Sequence, residues 1–374
     1  MTTRRQFHLR AAAALGALAA SAVATRSFGA GTTGRSLRLL VLGGTQFLGV
    51  HLVRDALRRG HRITLFTRGR TNPQLFPDIE KLRGDRDGQL DSLRGREWDA
   101  VIDDSGYVPR QVQLSAQLLA PAARQYLFMS SMSAYASFRQ PNDEGSPLAV
   151  LKEGGTESIS AATYGPFKAQ SETIVRAAFP NRSIVLRPGF IVGPEDPVGA
   201  FAYWLAQAAR GGVLPVPGTP AVPLQFIDVR DLARFALDLL ERQRSGTWNA
   251  VWPPGRIVMG EFLRACGLSA QRRANPAQAS QPVWIPTDFI RNQGIDPWLS
   301  FPLWPGNPEE PAIMALSARR ALAAGLRPSA LQHTVDDTMT WLLSQPEARA
   351  HGLAAGLNGE RQAALLAAWR AAHR

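Results

Sequence analysis

Apolar runs alternate along the chain with stretches in which apolar positions recur every three or four residues. Residues 37–42 (LRLLVL) are almost all apolar and predict a strand. A turn with Gly43, Gly44 and Gly49 follows, and Leu48, Leu52 and Leu57 mark a helix over about 47–59. Residues 62–66, 100–103 (AVID) and 125–129 (QYLFM) predict further strands, with a helix near 111–119. A helix over 164–178 leads to a strand at 183–186. This β-α alternation predicts an α/β fold: a parallel sheet with helices on both faces.

Past Arg187 the texture changes. Residues 283–311 (VWIPTDFIRNQGIDPWLSFPLWPGNPEEP) are too rich in proline for regular core strands or long helices. They predict a smaller, loop-rich C-terminal substrate lobe. Two helical stretches stand out, 229–241 and an alanine-rich segment at the chain end. The expected organisation is a nucleotide-binding domain over 36–190 and a substrate lobe over 191–350. Residues 224–241 are expected to return to the first domain, and 351–374 to form a C-terminal helix. Trp284, Trp298 and Trp304 are read first as packing residues, with ring stacking on a substrate as the alternative.

The first thirty residues read as an address. Arg4 and Arg5 precede Phe7 and Leu9, then a mildly apolar run over 11–24. That run is short for a membrane span, and Ala22-Val23-Ala24 offers a small-residue cleavage site. The segment resembles a twin-arginine export signal. It predicts a periplasmic or exported protein with no membrane span after cleavage. The alternative is an amphipathic helix on a cytoplasmic enzyme.

At 45% hydrophobic and 19% charged residues the chain is globular. Its formal charge of +12 raises the question of an acidic partner. The arginines are spread along the whole length, and those over 54–96 are interleaved with acids, so a solvated surface is expected and no nucleic acid. The single Cys266 excludes an internal disulfide and any thiolate cluster, and the six histidines lack ligand spacing, so no metal is expected. Only three of the 42 basic residues are lysine: Lys81, Lys152 and Lys168. A lysine retained in so arginine-rich a chain is a candidate for chemistry.

Three pieces carry that chemistry: the glycine turn, FMSSMSAY (128–135) after a strand end, and YGPFK (164–168) at a helix start. Tyr164 and Lys168 are four apart on a helix and share a face. A tyrosine is a poor base near neutrality, and a nearby ammonium would favour its phenolate. Tyr164 could then exchange a proton with a substrate hydroxyl or carbonyl.

With these three pieces in this order, the chain resembles the extended short-chain dehydrogenases/reductases, the NAD-dependent epimerase/dehydratase family. The resemblance spans nearly all of 37–345 and includes LRPGFIVGPEDP (186–197) and LQFIDVRDLARFAL (224–237). It implies a Rossmann-type doubly wound parallel sheet. It implies cofactor binding by Gly43, Gly44, Thr45, Gln46, Phe47, Leu48 and Gly49, with Asp85 contacting adenine. Lys168 would also bind the nicotinamide ribose, and Ser131 would hydrogen-bond the reacting oxygen. DDSGY (103–107) would pass the cofactor, although the family commonly has Ala-Ala there. The family also has a glycine where Gln46 stands. Related sequences with Arg or Gln at that spot include an RNA-associated branch with a degraded active site, so a non-catalytic nucleotide- or RNA-binding protein is the alternative.

The second strand bears on the cofactor. NAD enzymes carry an acid near its end, whereas TLFTRGR ends here in Arg68 and Arg70. Guanidinium groups suit a 2′-phosphate, which favours NADP over NAD. The expected activity is a Tyr-Lys-Ser oxidoreductase or epimerase acting on a hydroxyl or carbonyl of a small molecule, such as a nucleotide sugar, in a homodimer. Export in the folded state would favour an enzyme that regenerates a tightly held cofactor within its own cycle.

Overall fold

The computed structural model describes residues 35–151, 156–345 and 356–373. The expected export signal over 1–30 lies outside these residues, as do Lys152 and the first five residues of the expected C-terminal helix. The chain alternates β1 (Arg38–Leu42), α1 (Leu48–Arg58), β2 (Arg62–Thr67), β3 (Glu80–Arg83), β4 (Trp98–Asp103), α2 (Pro109–Leu119), β5 (Ala123–Met129), α3 (Ala161–Ala178) and β6 (Ser183–Pro188). It continues with β7 (Phe190–Val192), α4 (Ala200–Arg210), β8 (Gly212–Pro217), β9 (Pro223–Leu224), β10 (Phe226–Asp228), α5 (Val229–Glu241) and β11 (Gly246–Ala250). The remainder is β12 (Ile257–Val258), α6 (Met259–Arg273), β13 (Ser280–Ile285), α7 (Thr287–Asn292), α8 (Pro297–Ser300), α9 (Arg319–Ala324), α10 (Leu331–Ser344) and a last helix, α11 (Gly359–Ala372).

Seven parallel strands form the central sheet in the order β11-β6-β5-β4-β1-β2-β3. The fold is the expected α/β, Rossmann-type doubly wound sheet. Successive residues of a strand point to opposite faces, and here both faces are dry. Leu39 and Val41 of β1 join one apolar cluster with Leu52 of α1 and Leu232 and Phe235 of α5. Leu40 and Leu42 join the other with Val112 and Leu119 of α2 and Val175 of α3. Accordingly α1 packs beside α5, and α2 beside α3. Burial on both faces is why these strands read as apolar runs with no alternation.

The second half differs from expectation in three places. The returning segment supplies α5 to the core, but its strand β10 pairs with β7 in a separate two-stranded sheet, and β11 completes the main sheet beside β6. The proline-rich stretch contains a strand end: β13, with Pro282 inside it, runs parallel to β8. Helices α4, α6 and α10 were not legible. In α4 (AFAYWLAQAAR) most residues are buried, so the helix shows almost no polar stripe. In α10 the buried face carries Thr334 and Thr338, whose hydroxyls bond Asp228 Oδ2 at 2.8 Å and the Thr334 carbonyl at 2.6 Å. Trp304 is buried, Trp284 is half-buried against the core, and Trp298 lines a separate cavity of about 420 Å3 with Arg291, Asp296 and Asn307. Among the described residues no helix is long and apolar enough to cross a membrane.

Candidate active site

Strand order reverses between β1 and β4, the place where open α/β sheets bind ligands beyond their strand ends. A cleft of about 590 Å3 opens there. Its wall includes residues 43–48 of the glycine turn, 67–71 after β2, 84–86 after β3, Asp104, Tyr107, Tyr164 and Lys168. The cofactor candidates named from the sequence therefore meet in one place.

The glycine turn is built for close approach. Gly44 sits at φ +91°, and a Cβ there would stand 2.9 Å from Leu65 Cδ2. A Cβ on Gly49 would stand 2.6 Å from Gly44 Cα, so the first turn of α1 rests directly on the loop backbone. Thr45 and Leu48 are buried, Phe47 is half-buried, and Gln46 is exposed at the rim. Asn72 Nδ2 holds the turn from the loop after β2, donating to the Thr45 carbonyl at 2.9 Å. This backbone cradle, which leaves no room for a Cβ, fits a dinucleotide diphosphate.

Ser160 caps α3, its side chain accepting from the Thr163 amide. The helix then presents Tyr164 and Lys168 to the cleft. Gly165 between them has a positional reason: a Cβ there would stand 2.2 Å from the Ser133 carbonyl. The loop carrying Ser131 thus lies directly on α3. Burial raises the Tyr164 pKa, and the neighbouring Ser131 hydroxyl partly offsets it. Ser131 is half-buried beside the cleft-lining Ser130, and its hydroxyl accepts from the Ser133 amide at 3.1 Å.

Lys168 is buried, and its ammonium donates to the Gly106 carbonyl at 2.7 Å and the Met129 carbonyl at 2.9 Å. It stands 4.9 Å from the Tyr107 ring centroid and 5.8 Å from that of Tyr164. The expected lowering of the Tyr164 pKa by this ammonium is not found; the net shift of the tyrosine is upward. The physical reason is burial of the phenol, which disfavours its charged form; Lys168 Nζ is committed to two backbone carbonyls. Burial brings Lys168 down to about 8, against the pull of Asp103 and Asp104.

Sequence reasoning placed DDSGY on the cofactor side and went no further. The structure separates its two acids. Asp103 is locked in the interior by Arg86, with bonds of 2.6 and 2.7 Å, and by the Tyr126 hydroxyl at 2.7 Å. Asp104 is half-buried and faces the glycine turn. Two adjacent acids at the end of a buried strand were the available signal. Arg68 and Arg70 are exposed at the cleft edge, with Gly69 between them at φ +73°. The Arg83 guanidinium lies across Gly69, 1.1 Å from where a Cβ would be. Neighbouring acids are already engaged: Glu80 by Arg96 at 2.8 Å, and Asp87 by Arg110. Asp85 is half-buried in the cleft wall, and its Oδ1 accepts from the Asp87 amide at 3.1 Å. Among the described residues no three His, Cys, Asp or Glu side chains gather into a metal-binding group.

Residues 39–252 match the NAD dependent epimerase/dehydratase family, more than half of the chain. The protein belongs to that family. Its relatives include the epimerase family protein SDR39U1 of Bos taurus, 25% identical over 311 residues that cover 78% of this chain and 95% of that one. A second is the chloroplast stem-loop binding protein of 41 kDa b of Arabidopsis thaliana, 26% identical over 224 residues. That alignment covers 56% of each chain, so this protein matches little more than half the length of the chloroplast relative. Among solved structures, the Bordetella bronchiseptica enzyme WbmH in complex with NAD+ superimposes with a TM-score of 0.60 at 14% identity, covering 83% of this chain and 99% of that one. UDP-glucose 4-epimerase of Thermus thermophilus, complexed with NAD, gives 0.56 at 19%, covering 82% and 99%. At these identities the likeness shows the fold.

Proposed function

We propose that this protein is an NAD(P)-dependent epimerase or oxidoreductase acting on a carbinol or carbonyl of a small molecule, with a nucleotide sugar as the substrate class. The observation that carries the reading is the placement of Tyr164 and Lys168 on one face of α3, with the Ser131 loop lying on that helix, at a cleft that ends in the glycine cradle. When bound, the dinucleotide supplies a hydride acceptor and donor. Tyr164 takes or returns the hydroxyl proton, and Ser131 orients the reacting oxygen and the phenol. Lys168 sits at the inner end of the same face, where its ammonium can bond a ribose hydroxyl and add positive potential. Gly43, Gly44, Gly49 and the backbone of 45–48 would receive the diphosphate, and Asp85 would contact the adenine.

Arg68 and Arg70, exposed at the cleft edge and without a carboxylate partner among the described residues, support NADP over NAD, and Arg83 adds a third positive charge at that edge. The twin arginine at positions 4 and 5 supports export to the periplasm, and a cofactor regenerated within the catalytic cycle would suit that compartment. A homodimer is the proposed assembly.

The test is titration of NADPH and NADH into the purified protein, then turnover of UDP-sugars by the parent and by Tyr164→Phe. Full activity in Tyr164→Phe refutes the mechanism. Equal affinities for the two dinucleotides, unchanged in Arg68→Glu, refute the NADP preference. A non-catalytic RNA binder would instead show no turnover and RNA affinity that falls steeply as salt rises. Fractionation of cells carrying lysine at positions 4 and 5 tests the export signal; full-length cytoplasmic parent protein refutes it.

A further inference from the structure

The end of β4 delivers two adjacent carboxyl groups with different surroundings. Asp103 is fully engaged by Arg86 and Tyr126. Asp104 has no guanidinium partner among the described residues. Its Oδ2 stands 2.6 Å from the Cβ position of Gly49, a point that is also 2.6 Å from Gly44 Cα and 2.8 Å from the Gly44 nitrogen. The carboxyl therefore lies against the start of α1, where backbone amides would receive a diphosphate, and it lines the same cleft. A carboxylate there repels a diphosphate, whereas a carboxylic acid can donate a hydrogen bond to it.

We propose that Asp104 sets the pH dependence of dinucleotide binding, meeting the diphosphate as a neutral hydrogen-bond donor and opposing it once ionised. The inference rests on the dinucleotide reading above. The groups that face Asp104 are Lys168 from α3, Asp103 beside it on β4, Tyr107 from the following loop and the Gly49 amide from α1. Burial pushes Asp104 up to about 8, with Asp103 adding to the rise and Lys168 and the Gly49 amide opposing it. Tyr107, raised to about 12 by burial, stays neutral throughout this range. The sign follows. Binding favours the protonated form, so affinity is level below about pH 8 and falls above it. Between pH 7 and pH 9 the protonated fraction drops from about nine-tenths to about one-tenth, so affinity falls about tenfold.

Isothermal calorimetry of the full chain with NADP+ and with NAD+ at pH 7, 8 and 9 tests this. Two buffers of different ionisation heat count the protons exchanged. The parent is expected to lose about tenfold in affinity and to take up a proton on binding above pH 8. Asp104→Asn keeps the volume and a donor and should lose most of both effects. Lys168, which titrates in the same range, is the rival source of a slope. In Lys168→Met the Asp104 effect should persist and move to higher pH, because the opposing charge is gone. A parent that binds with no slope and no proton uptake overturns the proposal, and so does an Asp104→Asn variant that retains both; either result leaves the dinucleotide reading standing. Absence of binding to either dinucleotide at every pH overturns both. The parent's proton count does not depend on whether a variant folds.

Discussion

Replacing Gly165 by alanine should uncouple the two halves of the proposed catalytic site without touching either functional group. The added Cβ would stand 2.2 Å from the Ser133 carbonyl oxygen, a backbone atom that cannot rotate away. An ordinary carbon-to-oxygen contact is about 3.3 Å, so the loop must retreat from α3 by about 1 Å. That loop carries Ser131, whose hydroxyl neighbours Tyr164. A displacement of about 1 Å at reacting groups typically costs about 10²-fold in rate. The forced repacking should also cost about 1–3 kcal/mol of stability. The assay is kcat on a substrate turned over by the parent, with the urea midpoint and NADPH affinity measured alongside. The expected pattern is a rate about 10²-fold lower, a reduced midpoint and near-parental NADPH affinity, because the glycine cradle lies elsewhere. A kcat within about twofold of parent, with the midpoint clearly lowered, would refute the reasoning, since the Ser131–Tyr164 spacing would then be irrelevant.

Gly267→Ala should have the opposite sign on stability: it lies inside α6, its Cβ would meet only Ser280 Oγ at 3.7 Å, and the fold should gain about 0.5–1 kcal/mol in urea unfolding. Gly49→Ala would drive a Cβ onto the Gly44 backbone and should abolish NADPH binding by calorimetry while the circular dichroism spectrum stays α/β. Glu172→Gln strips the counter-charge from Arg187, which is 2% exposed and bonded to it at 2.7 and 2.8 Å, and should cost about 3–5 kcal/mol by urea titration. Burial raises the Glu172 pKa, but Arg187, Ser130 and Arg176 outweigh it and the net shift is downward. That stabilisation is therefore complete above the unfolded carboxyl pKa of about 4.3 and is lost as pH falls through the lower folded value, so parent and variant should converge in acid.

The strands β1, β2, β4, β5 and β6, the glycine turn and the span of α5 were legible in the chain because each leaves a local signature. Parallel strands buried on both faces read as apolar runs, and a helix covering one face of the sheet reads as a stripe. The pairing of Tyr164 with Lys168 was legible for the same reason, since four residues of helix bring two side chains to one face. What each side chain meets was not local, and tertiary structure alone decided it. Lys168 found the carbonyls of Gly106 and Met129, 62 and 39 residues away, and burial of the phenol turns the Tyr164 shift upward. Asp103 found Arg86 while Asp104 was left against Gly49, although the two are neighbours in sequence. Gly165 has no role visible in the sequence, and the Ser133 carbonyl lying on it supplies the reason for a glycine there. Helix α4 lacks an exposed stripe because it is covered on nearly all sides, and no periodicity within its eleven residues could reveal what covers it.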